Sequence, residues 1–272
     1  MKRKVVTVLA LSMLSLPTSC RSNANDDTSS GATTQEADSL PPTIQASLVD
    51  SFDGQGPLNG YTVNNPEALS DVQQIDGRYR ANLFENPNNI TLHYNNSQGR
   101  LDAKAVSFPF EVIARNIGIG TQSDSQVPPS ALGYPFIFAG IQIHVTNLSS
   151  INSSHVVVGH RGGTPFTVEG KNTVNGVSSV TDDGVNVAPE GRADIRIVGS
   201  ADRTLTVYWQ LPNINGAKED SWRLYNGTGA LPGASPQYGD TVYVGLITYA
   251  LDVTGLPFVG TCDSFEIIKE NI

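Results

Sequence analysis

Cysteine is scarce in this chain, with only Cys20 and Cys262 among 272 residues. A disulfide framework is excluded, so the fold must be held by its core, which a chain of this length can build. Basic residues are also few. Seventeen Lys and Arg stand against 26 Asp and Glu, for a net charge of −9, and they form no basic stripe. Nucleic acid is thereby excluded as a partner, because phosphate recognition needs a positive footprint. A polyanion would need a locally positive groove. No helical stripe and no internal repeat is found, and H-E-x-x-H, Walker, G-x-S-x-G and paired C-x-x-C motifs are missing. What is plentiful is glycine and proline, 26 and 16 residues, which point to many turns.

The N-terminus supplies an address. Lys2, Arg3 and Lys4 precede the short apolar run Val5 to Leu16, too short to span a bilayer, and residues 1–19 are expected to be a signal peptide. Its end, Leu16-Pro17-Thr18-Ser19-Cys20, resembles the lipobox of bacterial lipoproteins. The resemblance implies acylation of Cys20 and export to the cell envelope on a lipid anchor. Pro17 stands where that family usually has an aliphatic residue, and plain secretion is the alternative. Residues 20–45, rich in Ser, Thr, Asn, Asp, Ala and Gly, are expected to be a disordered tether, with the folded domain over 46–272. Cys262 is expected to be a small buried hydrophobe in a terminal strand, with Asp263 raising its pKa rather than activating it.

From Ser47 onward the chain alternates as strands do. Gly191 to Leu211 is the clearest case: Ala193, Ile195 and Ile197 share one face, Arg192, Asp194 and Arg196 the other. After a Gly-Ser-Ala-Asp-Arg turn, Leu205, Val207, Trp209 and Leu211 oppose Thr206, Tyr208 and Gln210. Further strands are expected at Leu48 to Asp53, Arg78 to Leu83, Asn89 to Tyr94, within Val106 to Gly120, Pro135 to Asn147, His155 to Gly159, Thr164 to Glu169, Thr241 to Ala250 and Asp263 to Ile268. Pro66 to Asp71 suits one short helical turn. About a dozen strands at these spacings predict an all-β, antiparallel two-sheet β-sandwich.

Asp50-Ser51-Phe52-Asp53-Gly54, Val242-Tyr243-Val244-Gly245-Leu246 and Asp263-Ser264-Phe265-Glu266-Ile267 resemble the first, penultimate and last strands of concanavalin A-like lectin/glucanase jelly rolls. The resemblance covers most of 47–272. It implies a jelly roll with its terminal strands side by side and a sheet that cradles an extended glycan. The fold hosts lectins, glycosidases, lyases and inert modules alike, so activity must come from the site.

Polar-face residues are the candidate ligand contacts: Gln142, His144, Arg192, Arg196, Tyr208 and Gln210. The competing reading pairs Arg192, Asp194 and Arg196 with Glu111 or one another as a surface ladder. Trp222 and Tyr225, with Tyr238, lie in the Gly/Pro/Asn-rich segment Asn213 to Asp240, where flat rings suit a pyranose face. For Trp222 the alternative is a plug at the end of the core. A laminarinase-type E-x-D-x-x-E strand fails here, because Arg192 sits between Glu190 and Asp194 where the middle acid belongs. Gln142-Ile143-His144 is similar to the Q-I-H motif of jelly-roll alginate lyases. That resemblance would make Gln142, His144, Tyr208 and one of Arg192 or Arg196 the carboxylate-neutralising, base and acid groups of a β-elimination. The companion R-x-E-x-R and Tyr-Phe-Lys-Ala-Gly strands of that family have no match. His155 and His160 fall on opposite faces, one an edge and one a loop histidine, so a shared metal is not expected. No cofactor is expected beyond a structural calcium, for which Asp53 and Asp263 are the candidates.

The expectation is therefore an exported protein that binds a poly- or oligosaccharide without catalysis. A uronate polysaccharide lyase is the alternative, and a structural envelope protein without a sugar ligand the second alternative.

Overall fold

Alternating side chains sort this chain into two layers around one core. The computed structural model describes residues 47–69, 71–82, 99–121, 136–161, 165–180, 185–212, 220–251 and 258–269. Cys20, the leader, the linker and the strand expected over Asn89 to Tyr94 lie outside the described residues. Within them, seventeen strands form two antiparallel sheets, the expected all-β sandwich.

The seven-stranded sheet runs β11 (Val177–Val180), β10 (Thr167–Val174), β9 (Ser153–Arg161), β8 (Phe136–Val145), β15 (Thr241–Leu251), β6 (Arg100–Ser107), β3 (Thr62–Asn64). The ten-stranded sheet runs β14 (Arg223–Leu224), β13 (Leu205–Gln210), β12 (Arg192–Gly199), β7 (Phe110–Thr121), β16 (Phe258–Cys262), β5 (Tyr79–Asn82), β4 (Asp71–Gln74), β2 (Gly56–Pro57). Its other two strands are β17 (Ser264–Ile268), which also pairs with β7, and β1 (Leu48–Asp50), which pairs with β17. The first and last described strands pair as the resemblance implied, with Leu48 opposite Ile267 and Asp50 opposite Phe265.

Between the sheets, Ile141, Ile143, Val156, Val158 and Val244 pack against Val112, Ile195, Ile197, Val207, Trp209 and Phe265, all essentially inaccessible. Each member alternates with an outward residue, so the period of two alone decides which side chains are free for function. Cys262 belongs to this core. Burial pushes its thiol pKa up, with Asp263 adding to the effect, so it is no nucleophile at neutral pH.

Three of the differences from expectation bear on the site. The apolar run Val106 to Gly120 is two strands, β6 and β7, parted at Phe108-Pro109. The strand expected over Thr164 to Glu169 begins at Thr167 and runs on to Val174, then turns through Asn175-Gly176 into β11. Both turn residues have positive φ, 50° and 78°, the requirement of a type I′ hairpin. Gly170 is the reason that strand is hard to see. A Cβ there would lie 2.4 Å from Leu231 and 3.0 Å from the Tyr225 ring, so the glycine makes room for core side chains rather than for a turn. Finally, His155 and His160 do face opposite ways, but neither is an edge or loop residue. Both sit within β9, which is paired on both sides, by β8 and by β10.

Candidate functional site

One polar cluster lies on the outer face of the seven-stranded sheet. Gln142 pairs with His155, and His155 with Lys171, so three neighbouring strands align an amide, an imidazole and an ammonium in one row. Residues directly opposite in a ladder hold their Cβ atoms about 4.5–5.5 Å apart. His144, Glu169, Tyr243 and Tyr249 flank the row. The Tyr249 ring meets His155 edge-on at 5.8 Å and lies 5.6 Å from the Lys171 ammonium. Every one of these side chains is at most 5% exposed. Neither ring nitrogen of His155 meets a hydrogen-bond partner among the described residues. Burial, with the nearby Lys171 charge, drives its pKa well below the usual histidine value, so the ring is neutral. Glu169 is the one carboxylate on the described strand residues of this face, whereas two-carboxylate glycoside hydrolysis needs a pair.

A second cluster lies on the outer face of the ten-stranded sheet, and a β-bulge builds it. Ala193 pairs with Ile117 but Ile195 pairs with Ala114, so Asp194 opposes two residues, Arg115 and Asn116. The bulge turns both of those outward, a frequent device for re-aiming side chains. Asp194 accepts the Asn116 backbone N–H at 2.7 Å, Arg115 Nη1 at 3.3 Å and Gln210 Nε2 at 2.9 Å. Asp220 takes the same two donors, at 2.8 and 2.9 Å, and the Trp222 indole N–H. The Arg115 guanidinium lies over the Trp222 ring, 5.1 Å from its centroid. One strand-row along, Arg196 pairs with Glu111 at 2.7 Å and lies 5.0 Å from the Tyr208 ring centroid. Tyr208 and Trp222 are both partly exposed, and each has a guanidinium behind it.

Asp220 is held down at about 2, chiefly by the Arg115 hydrogen bond. A depressed carboxylate adds stability above its ordinary pKa and loses it as pH falls through the folded value. Between about pH 4 and pH 2, then, Asp220→Asn should show a shallower acid-unfolding limb than the parent, measured by circular dichroism.

The expected site residues therefore divide between layers. Gln142 and His144 belong to the seven-stranded sheet, while Arg192, Arg196, Tyr208, Gln210 and Trp222 go with the ten-stranded one. They do not share a groove, and the set needed for β-elimination is split by the core between them. Arg192 is 1% exposed and structural. Its Nε donates to Asn116 Oδ1 at 2.7 Å, and its Nη2 donates to Asn116 O at 2.8 Å and to Thr261. Tyr225 is a core residue rather than a sugar platform, at 1% exposed with its hydroxyl accepting the Gly170 N–H at 2.8 Å. Tyr225→Phe should cost about 1–2 kcal/mol in denaturant unfolding, because it strands that buried N–H, and should leave ligand binding unchanged. Asp263 engages Arg78 at 2.6 Å and Asn116 at 2.8 Å, and Asp53 takes the Ser51 hydroxyl. Among the described residues no group of three His, Cys, Asp or Glu side chains is set to hold a metal. Sequence reasoning missed His155, Glu169 and Lys171 as one cluster; the Asn175-Gly176 dipeptide was the signal that extends β10 far enough to include Lys171.

No protein-family model matches the chain, and no curated protein matches it significantly. Solved structures do share its fold. The xylan β-1,4-xylosidase of Bacillus halodurans C-125 is 16% identical, with a TM-score of 0.53 over 81% of this chain and 39% of the xylosidase. The GH43 protein BlXynB of Bacillus licheniformis is 14% identical, with a TM-score of 0.53 over 82% of this chain and 39% of its own. The chain thus spans about two fifths of each. At these identities the likeness is one of fold, an antiparallel two-sheet β-sandwich. It does correct the enzymatic expectation. The neighbours of this sandwich are glycosidases, so the lean towards a non-enzyme, or a lyase in preference to a glycosidase, is not supported.

Proposed function

We propose that this domain binds polysaccharide, along the outer face of the ten-stranded sheet at its β13–β14 edge. One observation carries the reading. Trp222 and Tyr208 are partly exposed rings on one face, backed by Arg115 and Arg196 and flanked by the carboxylates of Asp220 and Glu111, while Gln210, 2% exposed, is bonded to Asp194, Asp220 and the Ser221 N–H and holds the cluster together. A pyranose presents an apolar face to stack on a ring and equatorial hydroxyls that pair with carboxylates and amides. The backing guanidiniums fix the rings before the ligand arrives, which lowers the ordering cost of binding. The glycosidase neighbours support a plant-type polymer such as xylan as the first ligand to try. The test is affinity electrophoresis of the whole chain through gels containing xylan, mixed-linkage β-glucan, alginate or pectin. Retardation by at least one polymer is expected, and free migration through all of them sinks the reading. The lipobox-like Leu16 to Cys20 supports, in the same proposal, a tether at the cell envelope, tested by metabolic incorporation of a labelled fatty acid at Cys20.

A further inference from the structure

A cleft of about 370 Å³ opens at one end of the sandwich, away from the bulge, where the β12–β13 turn faces the loop 230–238. That volume lies in the range of small-molecule sites. Leu205, Leu231 and Tyr238 supply apolar surface within a largely polar lining. Asn172, only 5% exposed, lines it from β10. A relay of hydroxyls fixes how that amide points. Tyr238 donates to Ser154 Oγ at 2.6 Å, and Ser154 donates to Asn172 Oδ1 at 2.5 Å. The carbonyl end is therefore turned to the protein, and the NH₂ end is left with a single long contact, 3.4 Å to Gly233 O. A buried amide with two N–H groups and one stretched bond has donor capacity to offer a ligand. On the rim, Asp202 takes the Ser200 hydroxyl and the Thr204 N–H and hydroxyl, all on Oδ1. Its Oδ2 takes none of those three bonds, which lower the pKa of the carboxylate and keep it ionised. Arg203, Ser235 and Gln237 also line the cleft.

We propose that this cleft binds one or two neutral sugar rings, with Asn172 Nδ2 donating to one hydroxyl, Asp202 Oδ2 accepting from another, and the C–H face resting on Leu205 and Leu231. An amide donor and a carboxylate acceptor beside aliphatic surface match a ring with adjacent hydroxyls. Phosphate or a uronate would meet the Asp202 charge, while the one guanidinium in the lining, Arg203, is already paired with Asp240 at 2.5 Å. The inference does not rest on the Trp222 face, and the two can fail separately.

The test is saturation-transfer NMR and calorimetry on the whole chain with xylose, arabinose, glucose, galactose and their disaccharides, beside Asp202→Asn, Ser235→Trp and Trp222→Ala. Asp202→Asn keeps Oδ1 and the turn but replaces the Oδ2 acceptor with a donor. Ser235→Trp fills the cleft from an exposed position, and melting curves check that both variants fold. At least one sugar should bind the parent and Trp222→Ala alike, at least fivefold more weakly to Asp202→Asn and at least tenfold more weakly to Ser235→Trp. No transfer from any sugar overturns the proposal, and so does binding that survives in both cleft variants. Loss only in Trp222→Ala moves the small-sugar site to the other face.

Discussion

Replacing His155 by phenylalanine is expected to raise the melting temperature near neutral pH by about 4–8 °C, a gain of about 2 kcal/mol in a domain of this size. The imidazole is fully buried, and both ring nitrogens are without partners among the described residues. Each such group carries a desolvation cost that a phenyl ring does not, and the edge-on contact with Tyr249 suits phenyl equally well. The pH dependence separates this cause from simple repacking. Above about pH 6.5 the histidine is neutral both folded and unfolded and contributes no slope. Below it the unfolded chain takes up a proton that the folded protein, with its pKa driven well down by burial and by Lys171, refuses. The parent should therefore lose about 1.4 kcal/mol per pH unit on acidification from this one residue, until its folded pKa is reached. His144, shifted the same way by burial, adds a slope of its own that the variant keeps. Urea unfolding at pH 7 and pH 5 should show the variant's advantage growing by roughly 2 kcal/mol. An advantage equal at both pH values would show that packing, not proton uptake, is responsible.

The layers were legible in the sequence because a period of two needs no tertiary knowledge: Ala193, Ile195 and Ile197 are inside, and Arg196, Tyr208 and Gln210 outside. The terminal pairing of β1 with β17 was legible from the likeness of two short motifs. Which strands neighbour one another was not. The grouping of Gln142 and His144 with Arg192 and Tyr208 failed because alternation says which face a side chain takes but not which sheet. The bulge at Arg115-Asn116 was invisible for a related reason. Two outward residues in succession arise from pairing with Asp194, which the Arg115-Asn116 dipeptide of β7 alone does not reveal. Lys171 was missed because Gly170 and Asn172 have the composition of a turn, although one clears space for Tyr225 and the other faces the end cleft. Tyr225 and Trp222, three residues apart in one irregular segment, look alike in sequence. One is a core plug and the other a surface ring, and only the Gly170 N–H and the Arg115 guanidinium tell them apart.

Trp222→Ala is expected to weaken polymer binding tenfold or more, about 1.4 kcal/mol, without lowering the melting temperature by more than about 2 °C. The small stability cost follows from position. Trp222 lies just before the edge strand β14, outside the core, and its main anchors are Asp220 and Arg115 at the surface. The large binding cost follows from geometry. Arg115 lies over the partly exposed indole, so in the proposed mode truncation removes the stacking platform rather than one contact among many. Trp222→Phe should keep most of the affinity, since a smaller ring still stacks, although it loses the N–H to Asp220. Tyr208→Ala should cost less than Trp222→Ala, because Tyr208 lies beside the exposed Leu224, which remains as apolar surface. The ionic groups predict a salt response that distinguishes this face from a charge-driven one. Arg115 and Arg196 are already paired with Asp220 and Glu111, so binding of a neutral xylan should change little between about 0.05 and 0.5 M salt, whereas an anionic polymer held by freed guanidiniums would be released. A double variant Tyr208→Ala/Trp222→Ala that still binds polymer at parental strength would remove this face from consideration, because no described aromatic pair would then remain at the β13–β14 edge to hold the chain.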